Sequence, residues 1–495
     1  MLSETSLDAD LFPSIENPFK GFPKPTLGPL SQLPNVVTGA DPAVINANQN
    51  FVQNALNQAQ SYQALNPFDE LGNLYNQQKL RKTMLSNTLL IKNGLLVSSQ
   101  KIAKKDILIK NGLIESISEK INIECDKIID AEGLYVMPGG IDPQVHFREP
   151  GLTHKETIET GSRAAVAGGI TTFFEMPNTK PATITKQLLE KKFEIASKTS
   201  VANYSFFFGA TPDNFDEIEA MEGNCGLKIF MGSSTGDLLV DSDEALDSIF
   251  KVCKKIIAVH AEDEVILKRS AEIVKGTKPT DHPAMRPVEA AVTATQKAIN
   301  YAVKYNKRLH VLHLSTAEEV EILRKYKHTG LITAETTPQH LLLHAPDIYE
   351  EIGTFGQMNP PIREKYHSEG LWEGLLDGTI NCIATDHAPH TIEEKNLPFD
   401  QAPAGMPGVE TSLPLMLNHS QTSDIDIKDI VKWMCENPAT LYNIKNKGFL
   451  KETYDADITI VDMNKEKEVD GKNMQSKCGW SAFDGKRLKG WPVTT

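Results

Sequence analysis

Short apolar runs alternate with longer amphipathic stretches between about residues 138 and 425. Eight of the runs have the length and the β-branched or aromatic content of buried strands, and helical stretches separate them. The runs are GGIDPQVHF, TTFFEMPN, NYSFFFGAT, GLKIFMGS, IIAVHAED, RLHVLHLS, LITAETTP and NCIATDHAP. This pattern predicts an α/β fold, a (β/α)8 TIM barrel, whose chemistry lies at the carboxyl ends of the strands.

Shorter alternating strands flank the barrel on both sides. TLLIKNGLLV, DILIKNGLIESIS and KIIDAEGLYVM precede it, and DADITIVDM and KEVDG follow it. The Asn-Gly pairs in these runs are strong hairpin signals. We therefore predict a barrel at residues 138–430 and a small β-sandwich domain around it. The first part of that domain is residues 84–137, and residues 431–495 hold the end of the barrel and the second part of the domain.

The first 83 residues differ in character from the rest. They are rich in Pro and Asn and include the polar tract INANQNFVQNALNQAQSYQAL, a composition that rarely supports an independent core. We predict a Pro-rich extended arm to about residue 42, then one or two weak helices ending near LRKTML.

Composition narrows the function classes. A chain of 495 residues with 40% hydrophobic residues suits one large α/β domain with a smaller one attached. A net charge of −14 argues against nucleic-acid binding. The six cysteines form no CxxC pair, which predicts a reduced, cytoplasmic protein. No apolar run approaches the length of a membrane span.

Polar residues of metal-ligand type stand at the ends of several predicted strands. Asp142, Gln144 and His146 alternate, so their side chains point the same way. A lone histidine there is more often a hydrogen-bonded core residue, but four further strand ends carry similar groups. We therefore predict one metal site that includes His146 and these residues: Lys228, His260, His313 and Asp386.

Strand parity separates the histidines that lie close together in the sequence. His310 and His313 are three residues apart, so a regular strand would place them on opposite faces. His313 is nearer the carboxyl end and is the better ligand, and we expect His310 to be packed or hydrogen-bonded among the helices. By the same parity His387 points away from Asp386.

Several motifs identify the chain, from about Leu90 onwards, as similar to the dihydroorotases of the amidohydrolase superfamily. They are HFREPGLTHKETIETGSRAAVAGGITT, MPNTKP, KIFMGSSTG, VHAED, HVLHLSTAEE, MNPPIR, ATDHAPHT, EEK, APAGMPGVETSLPLML and KCGWSAFDGK. The resemblance implies reversible hydrolysis of L-dihydroorotate to N-carbamoyl-L-aspartate in pyrimidine biosynthesis. It also implies a homo-oligomer, and association with aspartate carbamoyltransferase is a further expectation.

The resemblance implies a zinc centre with two Zn2+ per subunit, or one if Gln144 does not bind. His146 and Asp386 would belong to one metal and His260 and His313 to the other. Lys228 cannot bind a cation as an ammonium, but a carbamate formed with CO2 would make it an anionic bridge. Asp386 would also be catalytic, carrying a proton from the attacking water to the departing ring nitrogen.

Arg148 lies two residues beyond His146, and its guanidinium suits the substrate carboxylate. The resemblance adds further substrate contacts: Asn178 and His390 on the carboxylate, and Asn359 with the backbone of Ala404 and Gly405 on the ring amides. Asn178 could instead cap a turn beside Pro177, and Asn359 could shape the loop before Pro360.

Three features depart from the family pattern. The family usually has His at the position of Gln144, and an amide oxygen is a poorer zinc ligand than imidazole, so Gln144 is the weakest predicted ligand. The chain stops at GWPVTT, where relatives continue into another strand, so we expect the small domain to be truncated. Residues 1–83 have no recognised counterpart.

Two other functions remain open. One is another cyclic amidohydrolase, of the allantoinase or dihydropyrimidinase type, against which Arg148 and the MNPP loop argue. The other is a non-catalytic dihydroorotase-like subunit that scaffolds aspartate carbamoyltransferase. Such a subunit should have lost several ligands, whereas this chain departs only at Gln144.

Overall fold

The computed structural model describes residues 87–233 and 238–495. The predicted arm and weak helices within residues 1–83 lie outside the described residues, as does the end of the KIFMGSSTG motif. Within the described ranges, no helix combines the length and apolar character needed to cross a membrane.

Fifteen strands in the described residues form two sheets. They are β1 (Thr88–Val97), β2 (Ile102–Lys110), β3 (Leu113–Ser118), β4 (Lys127–Asp130), β5 (Tyr135–Pro138), β6 (Gly140–Val145), β7 (Ile170–Glu175), β8 (Asn203–Gly209), β9 (Gly226–Phe230), β10 (Ile257–His260), β11 (Leu309–Val311), β12 (Ile332–Thr336), β13 (Cys382–Ile383), β14 (Ile458–Glu468) and β15 (Arg487–Thr494).

The helices lie mostly between barrel strands. The α-helices are α1 (Ile158–Ala167), α2 (Lys186–Thr199), α3 (Phe215–Ala220), α4 (Asp243–Val252), α5 (Glu264–Val274), α6 (His282–Met285), α7 (Val288–Tyr305), α8 (Ala317–Tyr326), α9 (Pro338–Leu342), α10 (Asp347–Ile352), α11 (Lys365–Asp377), α12 (Ile392–Lys395), α13 (Ser412–Ser420), α14 (Ile427–Val431) and α15 (Asn437–Leu441). A π-helical segment spans Lys432–Glu436, and 3-10 segments span Pro279–Asp281, Lys327–Thr329, Gly353–Gly356 and Gly471–Asn473.

The eight strands β6 to β13 form the predicted barrel. They are parallel and follow one another in sequence order. An isolated parallel bridge between Val145 and His387 joins the first strand to the last, and the His146 amide donates to the His387 carbonyl at 2.7 Å. The predicted (β/α)8 barrel is confirmed.

Several loops from strand to helix are short, because a capping residue follows the strand end closely. Asp263 accepts a hydrogen bond from the Ile266 amide and begins α5 three residues after β10. Thr316 accepts one from the Glu319 amide and begins α8. Such caps satisfy free amides of the first helical turn and hold the residues between strand and helix in place.

The second sheet has seven strands and is built from both ends of the described chain. Its order is β15-β14-β5-β1-β2-β3, with β4 beside β1. β14 pairs antiparallel with β5, for example through Ile460 and Val136. The predicted small β domain is therefore confirmed.

The β15 edge of this sheet is partly covered by α13 and the residue after it. The Lys489 amide donates to Asn418 Oδ1 at 2.9 Å, and Gln421 Nε2 donates to the Lys489 carbonyl at 2.8 Å. These side chains take hydrogen bonds that another strand would otherwise supply.

One of the two Asn-Gly predictions was right and the other was wrong. Asn111 and Gly112 have φ of 54° and 78° and join β2 to β3 as a hairpin turn. Asn93 and Gly94 instead form a bulge inside β1. β1 pairs on its other side with β4 and then β5, and the Asn93 amide donates to Asp106 at 2.8 Å. This tertiary pairing keeps the strand continuous.

Candidate active site

A small cavity of about 20 Å³ opens at the carboxyl ends of the barrel strands. Eleven of the twelve predicted site residues border it, together with two residues that the sequence did not indicate, Phe230 and Ala388. The eleven are Gln144, His146, Arg148, Asn178, Lys228, His260, His313, Asn359, Asp386, Ala404 and Gly405. The exception is His390.

The predicted ligands lie within barrel strands or just beyond their ends. Lys228 lies within β9 and His260 is the last residue of β10. His146, His313 and Asp386 lie one to three residues beyond β6, β11 and β13. All five side chains are buried. The barrel thus gathers at one cavity residues as distant in sequence as His146 and Asp386, 240 positions apart.

Close pairs of polar atoms organise this group. His146 Nε2 lies 3.0 Å from Asp386 Oδ1, and Gln144 Nε2 donates to the same oxygen at 3.0 Å. His260 Nδ1 lies 3.0 Å from His313 Nε2. Gln144 therefore lies among the other predicted ligands, with its amide nitrogen toward Asp386.

Contacts behind two of the histidines determine which ring nitrogen keeps a lone pair. His146 Nδ1 lies 2.7 Å from Asn178 Oδ1, an oxygen that only accepts, so Nδ1 carries the proton. His260 Nε2 lies 3.0 Å from the Glu262 carboxylate, and although the contact does not have hydrogen-bond geometry, the nearby anion favours the proton on Nε2. In the neutral rings, His146 Nε2 and His260 Nδ1 then each keep a lone pair at the cavity, and a metal ligand needs such a lone pair.

Burial sets the charge of these groups. It lowers the pKa of His146, of His260 and of His313, so the three imidazoles are neutral near pH 7. Burial also lowers the pKa of Lys228 to about 7, against the opposing effect of Asp386. Although burial alone would raise it, the pKa of Asp386 falls to about 2, and the positive charge of protonated Lys228 contributes to the fall.

The donor set fits a zinc site. His313 Nδ1 and Gln144 Oε1 are buried without a hydrogen-bond partner among the described residues. Neutral imidazole and carboxylate are common zinc ligands, and unpartnered buried polar atoms call for a ligand or an ion. A lysine ammonium does not fit this set, whereas an anionic derivative of Lys228 would.

Backbone strain accompanies the site. Arg148, His313 and Asp386 have φ of 65°, 37° and 47°, in the left-handed region that non-glycine residues seldom adopt. Each lies just beyond a barrel strand. Strained backbone at such positions is typical of functional sites, where the surrounding fold holds an unfavourable conformation.

The same strain explains why one parity prediction was wrong. His310 is in register with Ala258, which is in register with Lys228, so these side chains share the inner face of the barrel. His310 bonds Thr333 and Glu335 of β12 at 2.9 and 3.0 Å, and it does not pack among the helices. β11 ends at Val311, so alternation cannot be extended to His313 across its left-handed backbone.

Arg148 brings a positive charge to the cavity wall. Its guanidinium is buried, Nε donates to the Pro389 carbonyl at 3.1 Å, and Nη2 lies 3.2 Å from His390 Nε2. Nη1 has no hydrogen-bond partner among the described residues. Burial lowers the pKa of Arg148 to about 10, so the group stays charged at neutral pH. The site therefore holds an unpaired cationic donor.

A histidine that the sequence did not indicate orients Asn359. His282 Nε2 lies 3.0 Å from the Met358 carbonyl, so this nitrogen carries the proton. It also lies 3.1 Å from Asn359 Oδ1, which therefore accepts. The amide nitrogen of Asn359 is left as a donor for the cavity that Asn359 borders.

Comparison with known proteins assigns the chain to a family. The model of the Amidohydrolase family matches residues 135–487. This chain belongs to the amidohydrolase family. Dihydroorotase of Methanosarcina acetivorans is 37% identical over 410 residues, which cover 80% of this chain and 88% of that protein. Dihydroorotase of Lactococcus lactis is 39% identical over 420 residues, with 81% and 96% covered.

Solved structures agree with the fold of this amidohydrolase. L-hydantoinase (dihydropyrimidinase) from Arthrobacter aurescens superposes with a TM-score of 0.80 at 34% identity, covering 83% of this chain and 95% of that one. Dihydropyrimidinase from Brevibacillus agri gives 0.75 at 26% identity. The chain is thus a hydrolase that acts on cyclic amides.

His390 of this amidohydrolase lies behind the cavity wall. Its Nδ1 lies 2.9 Å from Lys155 Nζ. Its Nε2 lies 3.1 Å from the Ala404 carbonyl oxygen and 3.2 Å from Arg148 Nη2. The geometry places His390 next to two residues of the cavity wall, and not on the cavity itself.

A second polar cluster, also not indicated by the sequence, lies within the barrel. His310, Glu335 and Cys382 are buried, and their ligand atoms lie within 4.8 Å of one another, the one such trio of His, Cys, Asp or Glu among residues 87–233 and 238–495. None of the three borders the active-site cavity. The pairing of neighbouring strands brings these three residues together. No local sequence motif indicates that pairing, so the cluster could not be predicted from the sequence.

Proposed function

We propose that this amidohydrolase is a zinc-dependent dihydroorotase, which reversibly hydrolyses L-dihydroorotate to N-carbamoyl-L-aspartate in pyrimidine biosynthesis. Dihydroorotases of archaea and bacteria are among its relatives at 35–39% identity. The solved structures noted above are hydantoinases and dihydropyrimidinases, so the choice of substrate must rest on the cavity itself.

The observation that carries the proposal is the state of Arg148. A buried guanidinium with an unpartnered Nη1 is costly unless an anion pairs with it. A carboxylate matches the fork of a guanidinium in charge and geometry. Dihydroorotate carries a carboxylate on its ring, whereas dihydrouracil and hydantoin do not. Arg148 therefore favours dihydroorotate over the uncharged rings.

The residues that would hold the metals are those gathered at the strand ends. His146 and Asp386 would serve one zinc, His260 and His313 the other, and carbamylated Lys228 both. Gln144 would be the sixth and weakest ligand, and one zinc per subunit is expected if it does not bind. Bound zinc would polarise the amide carbonyl and lower the pKa of water toward neutrality.

Formation of a carbamate at Lys228 is chemically reasonable in this setting. The neutral amine attacks CO2, an N–C bond forms and the nitrogen loses a proton. Lys228 is buried, its Nζ lies 4.5 Å from the centre of the Phe230 ring, and its pKa near 7 leaves much of the amine neutral at physiological pH. The resulting anion would suit a group of neutral imidazoles.

Asp386 would be the proton carrier of the reaction. Its carboxylate is ionised at neutral pH, and Oδ1 accepts a hydrogen bond from Gln144 Nε2. It can take a proton from the attacking water and give it to the departing ring nitrogen. Asn359 Nδ2 and the backbone of Ala404 and Gly405 would hold the ring amides during this transfer.

The proposal is tested by metal analysis and substrate comparison on the purified chain. We expect between one and two zinc ions per chain and a higher kcat/KM for dihydroorotate than for dihydrouracil, hydantoin or allantoin. Preference for an uncharged ring would replace the proposal with a hydantoinase-type function. Absence of both bound metal and turnover would favour a non-catalytic scaffold.

A further inference from the structure

Lys395 is a fully buried lysine whose side chain the proposed reaction does not use. It is the last residue of α12 and is buried. The N-cap of this short helix is Thr391, which forms a reciprocal capping box with Glu394. Its Nζ donates to three backbone carbonyls, those of Gln357, Pro403 and Gly405, at 3.2, 2.9 and 3.2 Å. Burial lowers the pKa of Lys395 to about 7. In its protonated form the group has three N–H donors, and these carbonyls satisfy all three.

The three carbonyls belong to two loops that border the active-site cavity. Gln357 lies two residues before Asn359, and Pro403 and Gly405 flank Ala404. The loops also touch directly, because the Gly405 amide donates to the Gln357 carbonyl at 2.8 Å. Lys395 thus joins the two segments from which the proposed function draws its contacts to the ring amides.

The backbone at Gly405 has little room to move. Gly405 has φ of +146°, and a Cβ there would lie 2.6 Å from the Ala388 carbonyl oxygen and 2.9 Å from His390 Nε2. Because the segment is packed this closely against the cavity wall, its position depends on the hydrogen bonds that hold it. Loss of the Lys395 contacts would leave the carbonyls of Pro403 and Gly405 without this donor.

The partners of Lys395 are unusual for a buried cation. They are carbonyl oxygens and the face of Trp480, whose ring centre lies 5.6 Å from Nζ, with no carboxylate among them in the described residues. Trp480 in turn donates Nε1–H to the His390 carbonyl at 2.8 Å. Burying an amine without a counter-ion lowers the stability of the fold. Because Lys395 forms no ion pair, its presence is better explained by a positioning function than by a contribution to stability.

We propose that Lys395 is a positioning residue for substrate binding, which holds the loops at residues 357–359 and 403–405 at the separation that the cyclic amide requires. The effect of Lys395 on substrate binding rests on the proposed dihydroorotase function, whereas its hold on the two loops rests on the hydrogen bonds alone.

The test replaces Lys395 with an apolar side chain of similar length. Lys395→Met should keep the zinc content of the wild type, because Lys395 contacts none of the predicted ligands. It should lower kcat/KM for dihydroorotate by roughly ten- to a hundredfold, mainly through KM, as expected for displaced binding groups. Hydrogen–deuterium exchange of the peptide that contains the Gly405 amide should become faster.

Lys447→Met is the matched control. Lys447 is a half-buried lysine that bonds Asp455 and Asp457 and contacts neither loop. Its loss should affect thermal stability without changing KM or the exchange of the Gly405 peptide. If Lys395→Met and Lys447→Met behave alike in both measurements, Lys395 is only a packing residue and the inference is wrong.

A milder variant covers the case in which Lys395→Met does not fold. Thr354 Oγ1 donates to the backbone carbonyl of Lys395, so Thr354→Val loosens the anchor and keeps the ammonium. It should show the same pattern with a smaller amplitude, and unchanged KM and exchange would contradict the inference. If the wild type does not act on dihydroorotate, the proposed function fails, while the exchange comparison still decides whether Lys395 holds the loops.

Discussion

The two sides of the active-site cavity are built in different ways. On the side proposed to bind zinc, here the metal side, Lys228 and His260 lie on barrel strands, and His313 and Asp386 follow strand ends in strained backbone. On the side proposed to bind the ring, here the substrate side, Asn359, Ala404 and Gly405 lie in loops. Those loops are fixed by side chains behind them, since Lys395 binds their carbonyls and His282 binds Asn359.

This difference separates two kinds of failure. Ligands on strand ends are held by the barrel, so a change there should alter metal content before it alters anything else. Loop residues depend on a few hydrogen bonds, so changes behind them should weaken substrate binding and leave the metals in place. Zinc content and KM therefore report on the two sides independently.

The largest effect is expected on the metal side, at Lys228. Lys228→Ala should abolish both turnover and zinc retention, because the bridging anion that we propose can no longer form. Short carboxylic acids such as acetate should restore part of both by occupying the vacated position. Atomic absorption and a dihydroorotate assay would check this, and near-normal turnover by the variant would show that Lys228 is structural.

Arg148 should behave in the opposite way, although it also follows a strand end. In Arg148→Met the zinc content should be unchanged, because the guanidinium is not a ligand. Truncating one partner of a buried charge pair costs about 2 to 5 kcal/mol. At about 1.4 kcal/mol per decade, kcat/KM for dihydroorotate should fall at least roughly tenfold.

Dihydrouracil serves as the internal control for Arg148→Met. This ring has no carboxylate, so its slow turnover should be nearly the same in the variant and the wild type. An equal loss for both substrates would mean that Arg148 supports the cavity wall, through its bond to the Pro389 carbonyl, and does not select the substrate.

The metal side was the more predictable of the two from sequence. Buried strands of a parallel barrel are short apolar runs, so a polar residue at the end of such a run is conspicuous. The predicted metal ligands border one cavity for this reason. The alternation of side chains along a run predicted their direction only as far as the strand continued. The prediction for His310 was wrong because β11 ends before His313.

The substrate side was less accessible to local reasoning. The resemblance to dihydroorotases indicated Asn359, Ala404 and Gly405, but nothing near them in sequence indicates what holds them. Lys395 acts across 38 positions on Gln357, and His282 across 77 on Asn359. Contacts of this range depend on the packed fold, as does the bulge at Asn93, where pairing on both sides of β1 overrides a hairpin signal.

Gln144 offers a smaller test of the metal side. Its Oε1 has no hydrogen-bond partner among the described residues, and an amide is a weak zinc ligand. Gln144→His should raise the zinc retained after dialysis against a chelator, toward two ions per chain, with little change in KM. Unchanged zinc retention would indicate that the position does not face a metal and that the amide serves only to orient Asp386.

The smallest effect is expected from removing residues 1–83. The residues that we assign to chemistry and binding lie between Gln144 and Gly405, and the Pro- and Asn-rich composition of the first 83 residues gives them little apolar surface with which to support a core. A chain that begins at Met84 should keep its zinc and change kcat/KM for dihydroorotate by less than roughly twofold. Limited proteolysis of the intact protein near residue 84, followed by the same assay, is the matched control, because it avoids any difference in folding during expression. If activity is lost while circular dichroism shows the barrel intact, the segment reaches the cavity, and KM and zinc content would then tell which side of the site it serves.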